Sequence, residues 1–424
     1  MGPAGLFCAL ALAEAGARVT LLERGRPVEQ RLHDVRRFWE EGVFDPASNV
    51  QFGEGGAGTF SDGKLTTRLN HPGIAWVLAR LVEFGAPADI LYQAKPHVGS
   101  DRLRKVLVCL RKKLLELGVD LRFSTMMSDL ETVRGRVTGV ILNGTERLPC
   151  EALVLAPGHS ARDTYAMLAR HRVNMERKPF AIGVRVEHPL EVINRIQYGL
   201  PHHPALPPAD YRLSWNDPET GRGVYSFCMC PGGTVINAAS EEGGIVVNGM
   251  SRYRRDAAMS NSALVVTVTP DDFSGTEPLA GVAFQRHWER AAWHAGEPGW
   301  RAPGQPLLEF LHGRGGRLVS TCQPAVVHAD LNDCLPRYVA SGLRRALPYF
   351  ERKMRGFITA EATLIGVETR TSAPLRIVRD EHGESVSHKG LFPAGEGAGY
   401  AGGIMSAALD GLQIARQLLL PANS

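Results

Sequence analysis

The stretch MGPAGLFCALALAEAGARVTLLER, residues 1–24, decides the fold that the sequence predicts. Gly2 and Gly5 match the second and third glycines of G-x-G-x-x-G, which admit a pyrophosphate and let a helix pack closely on a strand. Residues 6–16 are rich in Ala and Leu and predict a buried helix whose N-terminal amides face the phosphates. Glu23 follows about 20 residues later, where an acidic side chain accepts ribose hydroxyls. The stretch predicts most of a dinucleotide-binding βαβ unit, although an ordinary βα turn without a ligand has the same features.

The composition favours a globular protein of two domains. The chain has 424 residues, of which 44% are hydrophobic and 22% charged, so it can bury a sizeable core. The net charge of +4 is spread over 48 cationic and 44 anionic residues, and no nucleic-acid partner is expected. Seven scattered cysteines indicate reduced thiols and a cytoplasmic location. No apolar run reaches the ~18 residues of a membrane span, so no membrane partner is expected.

A glycine-rich segment, NVQFGEGGAGTFSDGKL, occupies residues 49–65. Its five glycines indicate positive φ angles or a close backbone approach to a ligand. Thr59, Ser61 and Lys64 add donors for a phosphate or a flavin ring. A flexible surface loop is the alternative interpretation. Apolar residues interleave the glycines, however, and a free linker would not need them.

Two further turns have the form of ligand-binding loops. Residues 152–156 predict a buried strand that ends in the turn Pro157-Gly158-His159-Ser160, as at the crevice of a parallel sheet. His159 is either a catalytic base or, as is more usual beside glycine, a structural hydrogen-bonding residue. Residues 390–409 predict a strand, a glycine-rich turn and a helix. The turn offers backbone amides to an anion, and its Glu396 can accept hydrogen bonds from a polyol.

The middle of the chain predicts an antiparallel sheet. Short strands are expected over 180–186, 211–215, 223–228, 234–238, 244–247 and 263–269. Helices are expected over 26–48, 74–85, 101–118, 279–296 and 335–354, and Pro348 should kink or break the last of these. Two more strands are expected over 119–124 and 136–142.

Cys228 and Cys230 end one of the predicted strands, and a spacing of two on a strand places both sulfurs on the same face. The pair could be redox-active, could be half of a metal site, or could simply pack in the core. No further ligands with zinc spacing accompany it, so no metal site is predicted.

Together these segments resemble the FAD-binding pattern of flavoproteins with two dinucleotide-binding domains. More narrowly, the GPAG turn, NVQFGEGGAGTFSDGKLTTR, the APGHS turn, YSFCMCPGG, NSALVVTV, ETRTSAPLRI and LFPAGEGAGYAGGI resemble an uncharacterised FAD-dependent dehydrogenase family of bacteria and plastids. The resemblance implies an α/β fold in which a discontinuous Rossmann-like FAD-binding domain, residues 1–170 and 355–424, carries an inserted antiparallel-sheet (α+β) substrate domain, residues 171–354.

The same resemblance implies the cofactor-binding residues. They are Gly2, Pro3, Ala4, Gly5, Glu23, Arg24, Gly55, Gly56, Gly58, Thr59, Ser61, Lys64, Ala156, Gly158, Gly395, Glu396, Gly397, Ala398, Gly402, Gly403 and Ile404. Family members begin upstream of Met1, so the first strand and first glycine of the motif are expected to be missing, through a late start codon or a fragment. Unpaired amides at the centre of the sheet would then cost about 1–3 kcal/mol each.

The implied function is that of an FAD-dependent oxidoreductase in which flavin N5 exchanges a hydride with an organic substrate. Lys64, Cys228 and Cys230 are the candidate catalytic residues. NAD(P)H is a candidate electron donor, although the sequence has no second G-x-G-x-x-G unit. The alternatives are a flavin-binding scaffold or RNA-modification partner that uses FAD structurally, and a truncated pseudoenzyme. The expected partner is a small-molecule substrate, and the oligomeric state is left open.

Overall fold

The computed structural model describes residues 1–297 and 299–420, so the last four residues of the predicted 355–424 segment lie outside it. Within these residues the α-helices are α1 (Pro3–Glu14), α2 (Val28–Glu41), α3 (Gly73–Glu83), α4 (Ser100–Glu116), α5 (Arg162–Arg170), α6 (Leu190–Tyr198), α7 (Ala280–Ala295), α8 (Leu307–His312), α9 (Arg337–Lys353) and α10 (Ile404–Leu419). The strands are β1 (Thr20–Leu22), β2 (Asp120–Arg122), β3 (Met127–Val133), β4 (Arg136–Leu142), β5 (Glu146–Pro149), β6 (Leu153–Leu155), β7 (Met175–Arg177), β8 (Phe180–Pro189), β9 (Ser214–Asn216), β10 (Gly223–Cys230), β11 (Thr234–Asn237), β12 (Val247–Met250), β13 (Met259–Val268), β14 (Ala302–Pro306), β15 (Val326–His328), β16 (Thr363–Glu368), β17 (Leu375–Ile377) and β18 (Leu391–Pro393).

Parallel pairing occurs in two separate pairs of strands beneath α1, where one continuous sheet would be usual for a dinucleotide fold. Strand β1 pairs with β2, and β18 pairs with β6. Helix α1 reaches both pairs, because a Cβ placed on Gly5 would lie 3.8 Å from Leu21 Cδ1 and 3.9 Å from Ala156 Cβ. The glycine therefore lets one helix pack against strands from both pairs.

The middle of the chain forms the predicted antiparallel sheet. Its order is β15-β14-β16-β8-β13-β10-β9, and every neighbouring pair is antiparallel except β14 and β15. Strands β8 and β13 pair along their full lengths, from Phe180 opposite Val268 to Pro189 opposite Met259. Both strands are buried along nearly their whole length, and α9 packs on the sheet. This sheet therefore forms the largest hydrophobic core.

A second core lies under α1, α3, α4 and the start of α10, and a third surrounds β4, β6, α5 and β17. The domain boundaries at 170 and 355 stay a prediction. Among the described residues, no helix is long and apolar enough to cross a membrane.

Most elements lie where the sequence predicts them, with three differences. Pro348 lies inside α9, which runs from Arg337 to Lys353, so the helix does not break there, and a kink at Pro348 stays a prediction. The strand expected over 244–247 begins only at Val247. Helices α5, α6 and α8 and strands β3, β5, β7, β14, β15, β16 and β17 have no counterpart among the predicted elements.

Candidate cofactor and active site

The glycine-rich segment lies against the N-terminal ends of both α1 and α10. A Cβ placed on Gly56 would lie 3.1 Å from Gly2 Cα, at the start of α1. A Cβ placed on Gly58 would lie 3.3 Å from Ile404 Cγ1, at the start of α10. Chain segments that are more than 300 residues apart in sequence therefore meet at one place, and glycine allows the approach.

The two remaining glycine turns close the same place from the other side. A Cβ placed on Gly395 would lie 2.7 Å from Ala4 Cβ, and one on Gly397 would lie 2.6 Å from the backbone nitrogen of Gly158. Tyr165 joins these turns, because its hydroxyl donates a hydrogen bond of 2.7 Å to the carbonyl oxygen of Gly397. The structure thus brings the four predicted motifs together.

Helices α1 and α10 both begin where the glycine turns meet, and no side chain of the described residues caps their N-termini. Within the described residues, neither helix has a side-chain cap or an acidic residue in its first turn. Gly402 and Gly403, just before α10, are exposed, and a Cβ on either would meet no atom within 4 Å. Free amides and a positive helix dipole at two adjacent ends form a suitable site for an anion such as a pyrophosphate.

Arg31, which the sequence analysis did not select, organises the glycine-rich segment. Its guanidinium is fully buried and donates hydrogen bonds to five carbonyl oxygens, those of residues 49, 50, 53, 54 and 56. Its charge interacts with the carboxylates of Glu23 and Glu54. Arg31 stands four residues before Val35 and seven before Phe38 in the apolar stripe of α2. Helical spacing could therefore have identified it as a buried arginine.

Two polar residues of this segment that are predicted to face the cofactor, Thr59 and Ser61, donate hydrogen bonds within the segment itself. The Thr59 hydroxyl donates to the carbonyl oxygen of Glu54 at 3.0 Å, and the Ser61 hydroxyl donates to that of Gly58 at 2.8 Å. The amide of Gly55 donates to the carbonyl oxygen of Met1. Both hydroxyl protons are therefore committed to the loop, and direct cofactor contacts by these residues stay a prediction.

Glu23 lies at the end of β1, as the motif requires, and its carboxylate is buried. It accepts hydrogen bonds from the Met1 amino group at 2.8 Å and from the amides of Gly25 and Gly53 at 2.9 Å. Burial acts to raise its pKa, but the charge of the Met1 amino group and these hydrogen bonds lower it to about 2. Glu23 is therefore ionised at neutral pH, and its contact with a ribose stays a prediction.

A charged cavity of about 410 Å³ lies beside Arg24. Arg24 pairs with Asp163 at 2.9 Å, and its guanidinium lies 4.3 Å from the centre of the Phe52 ring. The lining also includes Ser160, Arg162, Ser240, Glu241, Arg286, Glu289 and Arg290. Its polar groups and the Phe52 ring suit a ligand that has both charged and planar parts.

Behind this cavity, a buried ion network joins three distant parts of the chain. Glu289 of α7 accepts from Arg162 of α5 at 2.7 Å and from Arg370 at 2.8 Å. Arg370 also donates to the hydroxyls of Ser160 and Ser240. Two arginines thus share one fully buried carboxylate, and their charges lower the pKa of Glu289 despite its burial.

The same arginines, together with burial, determine the protonation state of His159. Its Nδ1 lies 2.9 Å from the Ser160 hydroxyl. Burial, together with the charges of Arg370 and Arg162, lowers the pKa of His159 to about 3. The imidazole is therefore neutral at physiological pH and a weak base, and this weak basicity favours the structural interpretation over a role as proton acceptor.

Glu396 lies in the last of the glycine turns, within electrostatic reach of Lys178. Burial raises the pKa of Glu396 to about 7, while the charge of Lys178 opposes that shift. The Glu396 carboxylate lies 4.0 Å from His159 Nε2, and its side chain is 25% exposed. Because its pKa is close to neutral, Glu396 can hold or release a proton at the site.

The three candidate catalytic residues lie within electrostatic reach of one another. Lys64 lies 4.0 Å from Asp62, which pairs with Arg255 at 2.5 Å, and the charge of Lys64 acts on both Cys228 and Cys230. The regular strand from which the sequence predicts both sulfurs on one face is interrupted at Cys228. The register of β10 shifts between Phe227 and Cys230, and Cys228 has a φ of 44°. A β-bulge changes the alternation, and the two thiols meet through it.

Among residues 1–297 and 299–420, no group of three or more His, Cys, Asp or Glu side chains is arranged to hold a metal ion.

Comparisons with known proteins give one family match and one long relative. Residues 179–371 match the family described as "FAD-dependent protein, C-terminal domain-like". The chain is 48% identical over 423 residues to an "Uncharacterized protein" of Clostridium beijerinckii (strain ATCC 51743 / NCIMB 8052), covering 99% of this chain and 79% of that protein. The family description names FAD, and it gives no support to NAD(P)H as a donor.

Among solved structures, the chain is similar to the flavin-dependent brominase Bmp2 at 12% identity, with a TM-score of 0.41 over 98% of this chain and 75% of that one. It is similar to glycine oxidase from Bacillus cereus ATCC 14579 at 12% identity, with a TM-score of 0.38 over 98% of this chain and 94% of that one. These two likenesses are too distant to identify a reaction.

Proposed function

This chain belongs to the same family as the uncharacterized Clostridium beijerinckii protein and carries the C-terminal domain of FAD-dependent proteins, and we propose from that premise that it is an FAD-dependent oxidoreductase. Its reaction is the exchange of a hydride with a small organic substrate. FAD supplies the hydride chemistry when it is bound, and the chain supplies position and charge.

One observation carries this proposal, namely the convergence of four glycine turns on two open helix N-termini. A side chain on Gly56 or Gly395 would fill the space between these segments. The residues therefore fit a group with a pyrophosphate at its centre, held by the starts of α1 and α10. Gly2, Pro3, Ala4 and Gly5 would hold it from one side, and Gly402, Gly403 and Ile404 from the other.

Around that group, the side chains have distinct tasks. Lys64 stabilises negative charge on the cofactor. Glu396 holds a proton near neutral pH, because burial raises its pKa to about 7. The antiparallel sheet, on which Cys228 and Cys230 stand, provides the wall against which the substrate binds.

The test is the visible absorption spectrum of the purified chain, followed by release and identification of the bound flavin. Gly395→Ala should lose flavin, since its Cβ would lie 2.7 Å from Ala4 Cβ. Gly144→Ala is the matched control. The φ of Gly144 is 83°, similar to the 75° of Gly395, but a Cβ placed on Gly144 would meet no atom within 4 Å. Circular dichroism shows whether both variants fold.

Equal flavin content in the two variants would contradict this placement of the cofactor. Anaerobic reduction of the bound flavin by a panel of organic substrates then tests the reaction itself. A flavin that binds but is reduced by none of them would favour a scaffold over an oxidoreductase.

A further inference from the structure

The bulge in β10 places two thiols in contact at the edge of the candidate site. Cys228 takes a φ of 44°, in the left-handed region that non-glycine residues rarely occupy. The Cys230 thiol donates to the carbonyl oxygen of Cys228 at 3.4 Å, and the two side chains also interact with each other. Strain of this kind is concentrated at functional sites, where the surrounding structure maintains it.

Arg185 of β8 holds the bulge in place. It is fully buried and donates to the carbonyl oxygen of Cys228 at 2.9 Å, to Asn261 at 2.8 Å and to Glu368 at 2.5 Å. Gly249 completes the enclosure, since a Cβ there would lie 2.3 Å from the Arg185 guanidinium and 2.9 Å from Cys230 Sγ. The surroundings therefore fix both the backbone and the sulfur of the pair.

The groups around the pair shift the pKa values of the two thiols in opposite directions. Interaction with Cys230 and the positive charges of Arg185 and Lys64 lower the pKa of Cys228 well below its ordinary value, although burial and Asp62 oppose them. The pKa of Cys230 is raised by its interaction with Cys228 and by burial. Burial also raises the pKa of the Cys322 and Cys334 thiols, which lack such neighbours. Cys228 is thus the more acidic thiol of the pair, and a more acidic thiol beside a less acidic one is the arrangement of thiol–disulfide exchange.

We propose that Cys228 and Cys230 form a redox-active dithiol and that it passes the electrons taken from the organic substrate to a disulfide, small or carried by a protein, which is the electron acceptor. The Cys228 thiolate attacks one sulfur of the acceptor disulfide and displaces the first thiolate. Cys230 then loses its proton and attacks Cys228 Sγ, which forms the internal disulfide and releases the second thiolate. Two electrons pass to the acceptor, whose two released sulfurs take up protons.

This inference rests on the proposed function, because turnover needs a reductant for the internal disulfide. The cofactor, once reduced by the organic substrate of the proposed function, would supply a hydride, which together with one proton provides the two electrons and two protons that restore the dithiol. Glu396 lies within electrostatic reach of Cys228, and we assign it the role of supplying that proton.

The first experiment equilibrates the purified full-length chain with buffers of reduced and oxidised glutathione and then alkylates the free thiols. Mass spectrometry of the peptide that contains residues 228–230 reports its state. We expect a single two-electron transition to an internal Cys228–Cys230 disulfide. Independent alkylation of both thiols at all glutathione ratios, or a stable glutathione adduct without the internal bond, would overturn the proposal.

A second experiment identifies the nucleophile from the pH dependence of alkylation by iodoacetamide. The midpoint for Cys228 should lie about one pH unit or more below that of the exposed Cys109, which serves as the internal reference. Lys64→Met should move the Cys228 midpoint upward, whereas Lys105→Met, at an exposed position on α4, should leave it unchanged. Equal midpoints for Cys228 and Cys109 would overturn the assignment.

The dithiol proposal and the proposed function can be contradicted independently of each other. An absent internal disulfide in a chain that binds and reduces flavin would overturn the dithiol alone. A disulfide that forms in a chain without flavin would overturn the proposed function and leave the dithiol standing. Cys334→Ser, which removes a buried thiol in the core of the same large sheet, controls for general effects of a cysteine substitution.

Discussion

At the scale of single residues, Arg31 shows how one side chain can determine the shape of a loop. Its guanidinium binds five carbonyl oxygens, and burial lowers its pKa to about 10, so it remains charged at neutral pH. Arg31→Met should destabilise the protein by about 3–5 kcal/mol, because it leaves buried acceptors unpaired. It should also lower the flavin content, since the glycine-rich segment would lose its fixed shape.

Denaturant unfolding and the absorption spectrum measure both effects of Arg31→Met. The control is Arg36→Met on the same helix, where the side chain is 73% exposed and makes a single 3.9 Å pair with Glu40. That change should cost less than about 1 kcal/mol. Equal stability of the two variants would show that Arg31 does not organise the loop.

Glu396 gives the site a proton that titrates near neutral pH. Its pKa of about 7 predicts that the flavin spectrum and the rate of flavin reduction change with a midpoint at about pH 7, as the carboxyl passes from neutral below it to charged above it. In Glu396→Gln this transition should disappear, because the amide is neutral at every pH. A transition of unchanged midpoint and amplitude in the variant would assign it to another group.

At the scale of elements, the crossing of α1 and α10 sets the position of both helix N-termini. A Cβ placed on Gly411 would lie 2.1 Å from the carbonyl oxygen of Ala4, so the helices are in backbone contact there. Gly411→Ala should force them apart, at a cost of about 1–3 kcal/mol, and weaken flavin binding. Thermal unfolding and flavin titration measure this, with the exposed Gln413→Ala on α10 as the control. Unaltered flavin affinity in Gly411→Ala would show that the helix N-termini do not depend on this contact.

The sequence predicts elements well where local chemistry determines them. The strand, turn and helix of 390–409 follow from glycines and an apolar run, and α4 follows from leucines at helical spacing. Helix α5 escaped prediction because its buried face includes Arg162, whose partner Glu289 lies 127 residues away. The bulge at Cys228 depends on Arg185 of another strand, and no local pattern indicates it.

At the scale of the whole molecule, Glu289 of α7 joins α5 and the segment after β16, through ion pairs with Arg162 and Arg370 and a hydrogen bond from the Thr369 hydroxyl. Glu289→Gln should destabilise the protein by about 3–5 kcal/mol at neutral pH, since Arg162 and Arg370 would remain buried without their carboxylate. The control is Glu191→Gln, which removes an exposed carboxylate that lies 3.9 Å from Arg195. It should change stability by less than about 1 kcal/mol.

The same charges predict how the protein responds to acid. The pKa values of Glu23 and Glu241 are lowered to about 2, and that of Glu289 is lowered as well, from an ordinary value of 4.5. Between about pH 2 and pH 4.5 the unfolded chain binds more protons than the folded chain. The free energy of unfolding therefore rises with pH over this range, and stability is lost as pH falls from about 4.5 towards 2. Glu289→Gln removes one of the carboxyl groups that take up a proton on unfolding. The unfolding free energy of the variant should therefore fall less steeply with falling pH than that of the unaltered chain. Chemical denaturation at a series of pH values measures both slopes. Identical slopes would mean that the network does not hold Glu289 ionised, and that other contacts join α5, α7 and the segment after β16.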